Sequence, residues 1–520
     1  MTFDISDLLN SSPLLLLTVA GLVLLLLEAF SRVRLVGPDY HHKLPAETSE
    51  AVAVPVPGSR TYLMPLTVAT LLATLVLLAA QAGSAGGDGV HMYRDMLVLD
   101  RFGLMMSGIC VLGALLGVMV APAYLREHKM EFGEYYALIL FTLAGMLILI
   151  QASDLVSVFL GVETMSLGAY VLTGSWRRSA RSSEAAMKYF LVGAFVSGIL
   201  VYGIALIYGT VGSTSFVEIK HAAPRLAQQP LFYLGWLLLL LSFAFKVGAV
   251  PFHMWAPDTY EGAPTPVSGF MMSCIKTAGF AGLIRLCAGV LVAPETATQP
   301  FTGWGHILLV LSILTMTLGN LGALQQDNIK RMLAYSSIAH AGYLLLGVAA
   351  LAWVGDEARG PLLYYLLAYT LTTVGSMGVV AWLGGDDAGQ ERVRLEDWAG
   401  LGQRQPAAAL AMTVFLLSLG GFPPTAGFFG KLYLFRVALS RPELLVPVLI
   451  AIANSLVSVY YYLRVITAMY FRPAPTKPTT SPIRSGAVSL AMLVAALLVL
   501  GFGAMPEWLA NLCAAAGLGG

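Results

Sequence analysis

Residues Phe245–Lys276 read FKVGAVPFHMWAPDTYEGAPTPVSGFMMSCIK. Lys246 closes a strongly apolar run, Leu231–Phe245, and five residues later Pro251 removes a backbone N–H and ends the helix. A short polar connection follows, carrying Asp258 and Glu261 among Pro257, Pro264 and Pro266. A second apolar segment then begins and holds Lys276 well inside it. A lysine at the centre of a membrane helix costs roughly 2.5–3.5 kcal/mol on insertion scales. Two lysines flanking a broken helix therefore mark a place where the chain accepts a cost for chemistry.

The composition fixes the class. Of 520 residues, 57% are hydrophobic and 11% charged, against about 25% charged in a soluble domain. This is an all-α polytopic membrane protein. A net charge of +1 gives no general attraction for nucleic acid. The cysteines Cys110, Cys274, Cys287 and Cys513 are scattered, with no spacing for an iron–sulfur cluster, zinc or a disulfide framework. No glycine-rich nucleotide loop follows a strand, so no cofactor is expected in this chain. The opening MTFDISDLLNSSP is acidic, and the apolar run after it reads as a retained helix rather than a signal peptide.

A spanning helix needs about 20 apolar residues. That ruler places helix 1 at Pro13–Phe30, helix 2 at Tyr62–Gln81, helix 3 at Leu104–Tyr124, helix 4 at Tyr135–Gln151 and helix 5 at Asp154–Thr173. Helix 6 is Ala186–Thr210, helix 7 Leu231–Val250, helix 8 Pro266–Val290, helix 9 Trp304–Leu324 and helix 10 Met332–Trp353. Helix 11 is Leu362–Leu383, and helix 12 runs from Ala407 through a break at Gly420–Pro424 to about Leu439. Helices 13 and 14 are Leu444–Phe471 and Ser485–Ala504, which gives about fourteen. The polar connection Ser31–Thr61, with His41-His42, reads as a solvated linker. Of the lysines and arginines outside the helices, eighteen fall in one set of alternate loops and six in the other. That bias puts the first set in the cytoplasm and both termini outside.

Helices 7 and 12 are both broken, five helices apart, and each has a lysine, Lys246 or Lys431, near its interruption. Broken helices persist at membrane depth only where protein buries them or they line a cavity. Helices 4–8 and 9–13 then form two inverted five-helix repeats, since an odd number of helices reverses the entry side. The domain limits are 1–134 for helices 1–3, 135–291 and 304–471 for the repeats, and 472–520 for the C-terminal helix 14. Glu163 lies nine residues after Asp154 and His340 nine after Arg331, which places these two at matching points.

Charged groups inside membrane helices usually face a polar interior and mark ion or proton paths. Glu163 in helix 5 is expected to pair with Lys246, and a buried lysine holds or releases its proton according to the carboxylate beside it. The plainer alternatives are a static ion pair and, for Lys246, a side chain that snorkels to the interface. Lys276 lies deeper. His340 has an ordinary pKa near 6.5 and suits proton relay, or is a core histidine bonded to a neighbour. His253, just after Pro251, is either structural or at the cytoplasmic entrance. Arg285, Arg436 and Arg464 do not release protons readily and read as electrostatic partners.

FKVGAVPFHMWAPDTYEGAPTPV, DNIKRMLAYSSIAHAGY and GGFPPTAGFFGK together resemble the antiporter-like subunits of respiratory complex I and of Mrp-type cation/proton antiporters. SSEAAMKYFLVGAFVSGILVYGIALIYG looks like subunit N, the bacterial relative of mitochondrial subunit 2. Subunit M generally carries a glutamate where this chain has Lys431, and subunit L has extra C-terminal helices. The resemblance implies a proton-translocating membrane-arm subunit of NADH:quinone oxidoreductase in a bacterial inner membrane. It implies a mid-membrane polar axis of Glu163, Lys246, Lys276, His340 and Lys431. NAD, FMN, iron–sulfur clusters and quinone would sit in partner subunits, among them subunit M and small subunits such as K and J. The alternatives are an Mrp-type antiporter subunit and a structural spacer in the membrane arm.

Overall fold

Each long apolar run folds as a helix. The computed structural model describes residues 5–33, 62–83, 89–226, 229–290, 298–299, 303–385, 391–474 and 485–518. Most of the expected linker, with His41-His42, lies outside them. In chain order the main helices are α1 Ser12–Val33, α2 Leu63–Gln81, α3 Arg101–Glu127, α4 Gly133–Gln151, α5 Leu155–Thr173, α6 Ala180–Val211 and α7 Pro230–Val247. They continue as α8 Thr265–Val290, α9 Trp304–Leu324, α10 Ile329–Val354, α11 Arg359–Leu383, α12 Pro406–Gly420, α13 Leu445–Phe471 and α14 Gly486–Ala504.

Among the described residues twelve runs are long and apolar enough to cross a membrane, and one of them, Ile329–Leu383, contains both α10 and α11. These two helices are antiparallel: Ser337 bonds Tyr369 and His340 bonds Tyr365, so pairing runs outward from the turn at Gly355–Ala358. At 15 residues α12 spans only about 22 Å, short of the ~30 Å hydrocarbon core. Its chain continues past the break as Ala426–Ala438. Among the described residues the fold is helical apart from one small hairpin, which the ruler for apolar runs does not detect. Val90–Met92 pairs antiparallel with Leu97–Leu99 across a tight turn.

The breaks share one construction. α7 ends at Gly248 and α12 at Gly421, both with left-handed backbone (φ +76° and +83°), which glycine adopts without a Cβ penalty. After the first break the chain makes a short helix, Trp255–Gly262, before entering α8. α8 is the most enclosed of the spanning helices, buried along all but its last turn, whereas α1, α2, α6 and α14 turn apolar faces outward. The polar side chains of α8 are thus removed from lipid on every side.

Close helix contacts set the depth of the residues that matter. A Cβ on Gly342 of α10 would overlap the backbone nitrogen of Met316 in α9. Gly342→Val is expected to destabilise the fold by about 1–3 kcal/mol through overpacking. A lower melting temperature of the purified protein, with the membrane insertion level unchanged, checks it.

Candidate functional site

Among the described residues Arg285, Lys330, Lys246, Lys276, Lys431 and His340 are the cations or potential cations no more than 5% exposed, and they divide by their partners. Arg285 donates to both carboxylate oxygens of Asp100, at 2.8 and 2.9 Å, and to the Ile150 carbonyl at 2.8 Å. Lys330 donates to Glu391 Oε2 at 2.7 Å and to the Ala263 carbonyl at 2.7 Å. These are ion pairs with satisfied geometry, and they hold helices together. Lys246, Lys276 and Lys431 are 5%, 2% and 5% exposed, yet their hydrogen-bond partners are neutral oxygens.

Lys246 sits in the last turn of α7 and donates to Ser166 Oγ at 2.5 Å. Lys276 follows a π-helical turn, Met271–Ile275, which resets the register of α8 and is a common device at functional sites. Its ammonium donates to the Ser337 carbonyl at 2.7 Å and to the Ser337 hydroxyl. Lys431, just beyond the second break, donates to the Leu419 and Gly420 carbonyls at 2.8 and 3.3 Å and to Ser455 Oγ at 2.9 Å. Those carbonyls end α12, so they lack intrahelical donors. Lys246 and Lys431 thus lie at the negative ends of the two interrupted helices. That field is worth at most about 2 kcal/mol, less than the several kcal/mol of desolvation a buried ammonium meets. Each lysine also faces a tyrosine ring: Tyr189 at 5.9 Å, Tyr369 at 5.9 Å and Tyr343 at 5.2 Å.

His340, 2% exposed, bonds through Nδ1 to the Tyr365 hydroxyl at 2.7 Å and through Nε2 to that of Tyr462 at 3.2 Å. The Tyr462 and Ser336 hydroxyls bond each other. Tyr369 donates to Ser337 at 2.9 Å while its ring lies 5.3 Å from the His340 ring. Tyr343 meets His340 edge-on and carries Lys431 over its face. Lys276, His340 and Lys431 are therefore joined by one set of hydroxyl and aromatic side chains. Gly279, one turn beyond Lys276, lies against the aliphatic stem of Lys246 and brings the first group alongside the second.

Two expectations need correction, the Glu163–Lys246 contact and the start of α10. Glu163 and Lys246 are not in direct contact: Ser197 of α6 donates to Glu163 Oε1, and Lys246 is held by Ser166, one turn along α5. Hydroxyls at that spacing satisfy each charge separately. His253 stands apart from the axis, half-buried in the loop after α7, with Nδ1 unpartnered among the described residues. Burial pushes it below the ordinary imidazole value. Lys330 and Arg331, read as loop cations, belong to α10. Arg331 bonds Asp258 and Glu261 at 2.7 Å, so the helix starts earlier because counter-charges from distant segments cover its first turn.

The caps also refine the register between the two halves. Asp154 caps α5 through the Val156 N–H, and Asn328 caps α10 through the Arg331 N–H. Counted from these caps, Glu163 corresponds to Ser337 and Ser166 to His340, one turn from the match read in the sequence. In both halves a serine on this helix accepts a lysine ammonium: Ser166 from Lys246, Ser337 from Lys276. Neither serine stood out in the sequence, where hydroxyls in apolar helices are common.

Glu391 was missed as well. It accepts from Lys330, Thr265 and Tyr124, tying α3, α8 and α10 together. Burial raises its carboxyl, but the Lys330 charge and these three donors outweigh that and hold it below the usual glutamate range. A lowered folded pKa contributes stability that is present above about pH 4.3 and lost as pH falls through the lowered value. Glu391→Gln leaves Lys330 buried without a counter-charge, an expected loss of about 3–5 kcal/mol at neutral pH. Thermal melts of the two forms check this, and their difference should shrink as the pH falls below 4.3.

A family profile described as "NADH:quinone oxidoreductase/Mrp antiporter, TM" matches residues 152–458. The NADH-quinone oxidoreductase subunit N 1 of Sorangium cellulosum (strain So ce56) is 45% identical over 506 residues, 95% of each chain. A chain of respiratory complex I from Thermus thermophilus, solved with bound aureothin, superposes with a TM-score of 0.76 at 32% identity, covering 96% of this chain and 99% of that one. A chain of the Mrp complex from Dietzia sp. DQ12-45-1b superposes with a TM-score of 0.81 at 22% identity, covering 98% and 97%, a likeness of fold.

Proposed function

The chain belongs to the NADH-quinone oxidoreductase subunit N family, and on that footing we propose that it moves protons through the membrane arm of that enzyme, from cytoplasm to outside. One observation carries the proposal. The buried cations that hold helices together are paired with carboxylates, while Lys246, Lys276 and Lys431 rest on neutral oxygens. A permanent charge so placed lacks a stabilising partner, whereas a group that gains and loses a proton needs neutral partners that serve both forms.

The working cycle has two states. In one, Glu163 pairs with Lys246 and holds its proton. In the other the pair is open, the arrangement seen here, and the proton passes by way of Lys276 and His340 toward Lys431 and the outside. Tyr365, Tyr369, Tyr462 and Ser337 supply hydroxyls along that line. Against ~150 mV one proton costs about 3.5 kcal/mol of electrical work, which is comparable with making or breaking one buried ion pair. The two five-helix units, 135–291 and 304–471, are its inverted halves, between helices 1–3 (1–134) and the C-terminal segment 472–520. The reset is driven by redox chemistry in partner subunits, which hold NAD, FMN, iron–sulfur clusters and quinone. Subunit M and the small subunits K and J are its neighbours in a bacterial inner membrane, with both termini outside.

The test is purification of the native assembly through a tag on this chain. NADH:quinone activity that co-purifies with the chain is the expected result. Cation/proton exchange without NADH oxidation would replace this reading with that of an Mrp-type antiporter.

A further inference from the structure

Glu163 and Ser166 stand three residues apart on one face of α5, about 4.5 Å along the helix axis. The Ser166 hydroxyl donates to the Val162 carbonyl, which leaves its lone pairs for the Lys246 ammonium. On the opposite side Ser197 of α6 donates to the Glu163 carboxylate. Beside these two contacts lies a small cavity of about 20 Å³, room for a single water, where Ser166, Ser197, Ser242 and Lys246 meet apolar side chains such as Val162 and Phe243. Gly193 admits the Tyr170 hydroxyl to the edge of this space, since a Cβ there would overlap it. A lining with several hydroxyls and an ammonium offers a water the two to four partners it needs.

We propose that Ser166 and Ser197 are positioning residues that hold the Glu163 carboxylate and the Lys246 ammonium apart beside a hydrated cavity between α5, α6 and α7. The proposal deepens the reading above and rests on it for its role in proton transfer. Each serine offers one charge a neutral partner, so the separated state exists without either group standing bare. Lys246 has a flexible four-carbon stem and reaches the carboxylate by a displacement of one helical turn. The equilibrium between pair and separation is therefore set by two hydroxyls and the water beside them.

The test is a cryo-EM structure of the assembled complex carrying Ser166→Ala and Ser197→Ala, with proton pumping measured per NADH oxidised. Without the hydroxyls, Lys246 Nζ is expected within about 4 Å of the Glu163 carboxylate, the ion-pair limit. Pumping is expected to fall about tenfold, a bias of roughly 1.4 kcal/mol toward the closed pair. Ser166→Thr with Ser197→Thr, which keeps both hydroxyls, restores the separation and the pumping. Should the double alanine form fail to assemble, Ser166→Ala alone is expected to release Lys246 to the carboxylate. The proposal is overturned if the alanine variants keep the two groups separated as in the unmodified protein. If the pair closes and pumping is unchanged, the positioning role stands and the proton-transfer reading fails.

Discussion

Replacing Lys276 by methionine stops proton movement through this chain, with an expected loss of about a hundredfold or more, the range of a lost general acid–base relay. Methionine fills the space of the lysine stem and leaves the Ser337 hydroxyl its bond from Tyr369. The helix therefore stays packed while the ionisable amine is gone. Lys276→Arg is the sharper companion. Arginine keeps the positive charge but does not give up its proton. Under a proton-relay role both variants fail, measured as proton pumping into liposomes by the reconstituted complex. If arginine pumps at the unmodified rate, Lys276 supplies charge alone and the chain is a spacer at this point.

The second large effect belongs to a pair that carries no proton. Arg285 is 3% exposed and Asp100 1%, and they share two hydrogen bonds and one with the Ile150 carbonyl. Arg285→Ala removes the counter-charge of the buried Asp100 carboxylate, at an expected cost of about 3–5 kcal/mol. The assembled complex is expected to be nearly absent from native gels of these membranes. Asp100 also caps α3 through the Gly103 N–H at 2.7 Å. The double variant Asp100→Asn with Arg285→Met keeps a capping oxygen and removes both charges, so it recovers assembly. A single variant that assembles like the unmodified protein would contradict this account of the pair.

The contrast between these two positions separates structure from chemistry within one helix. Lys276 and Arg285 both lie on α8, two and a half turns apart, both enclosed. One has a carboxylate and the other a serine. Burial alone does not distinguish them. The partner does, together with the residue type, since arginine keeps its proton.

Much of the architecture was legible because membrane helices announce themselves. Runs such as Trp304–Leu324 carry no competing signal, and Pro251 and Gly421 mark the breaks through their backbone chemistry. The lysines in those runs were legible for the same reason, as costly residues in an apolar setting. What stayed hidden depends on contacts between distant segments. Asp100 lies 185 positions from Arg285, and Glu391 61 positions from Lys330. Nothing local ties them together. The start of α10 was misplaced because Lys330 and Arg331 look like a loop until Asp258, Glu261 and Glu391 are set beside them. The Glu163–Lys246 relation was legible as depth, but not the serines that intervene. Ser166 and Ser197 are ordinary helix residues until α6 and α7 are packed against α5.

On the proposed function, a lysine at the first helix break, Lys246, lies on the proton path. The most direct measurement is proton pumping beside NADH:quinone turnover in liposomes holding the fully assembled complex with Lys246→Ala. Lost or strongly reduced pumping is the predicted result, whether or not turnover falls with it. Full pumping at the unmodified rate of turnover would make Lys246 a structural residue and contradict the account.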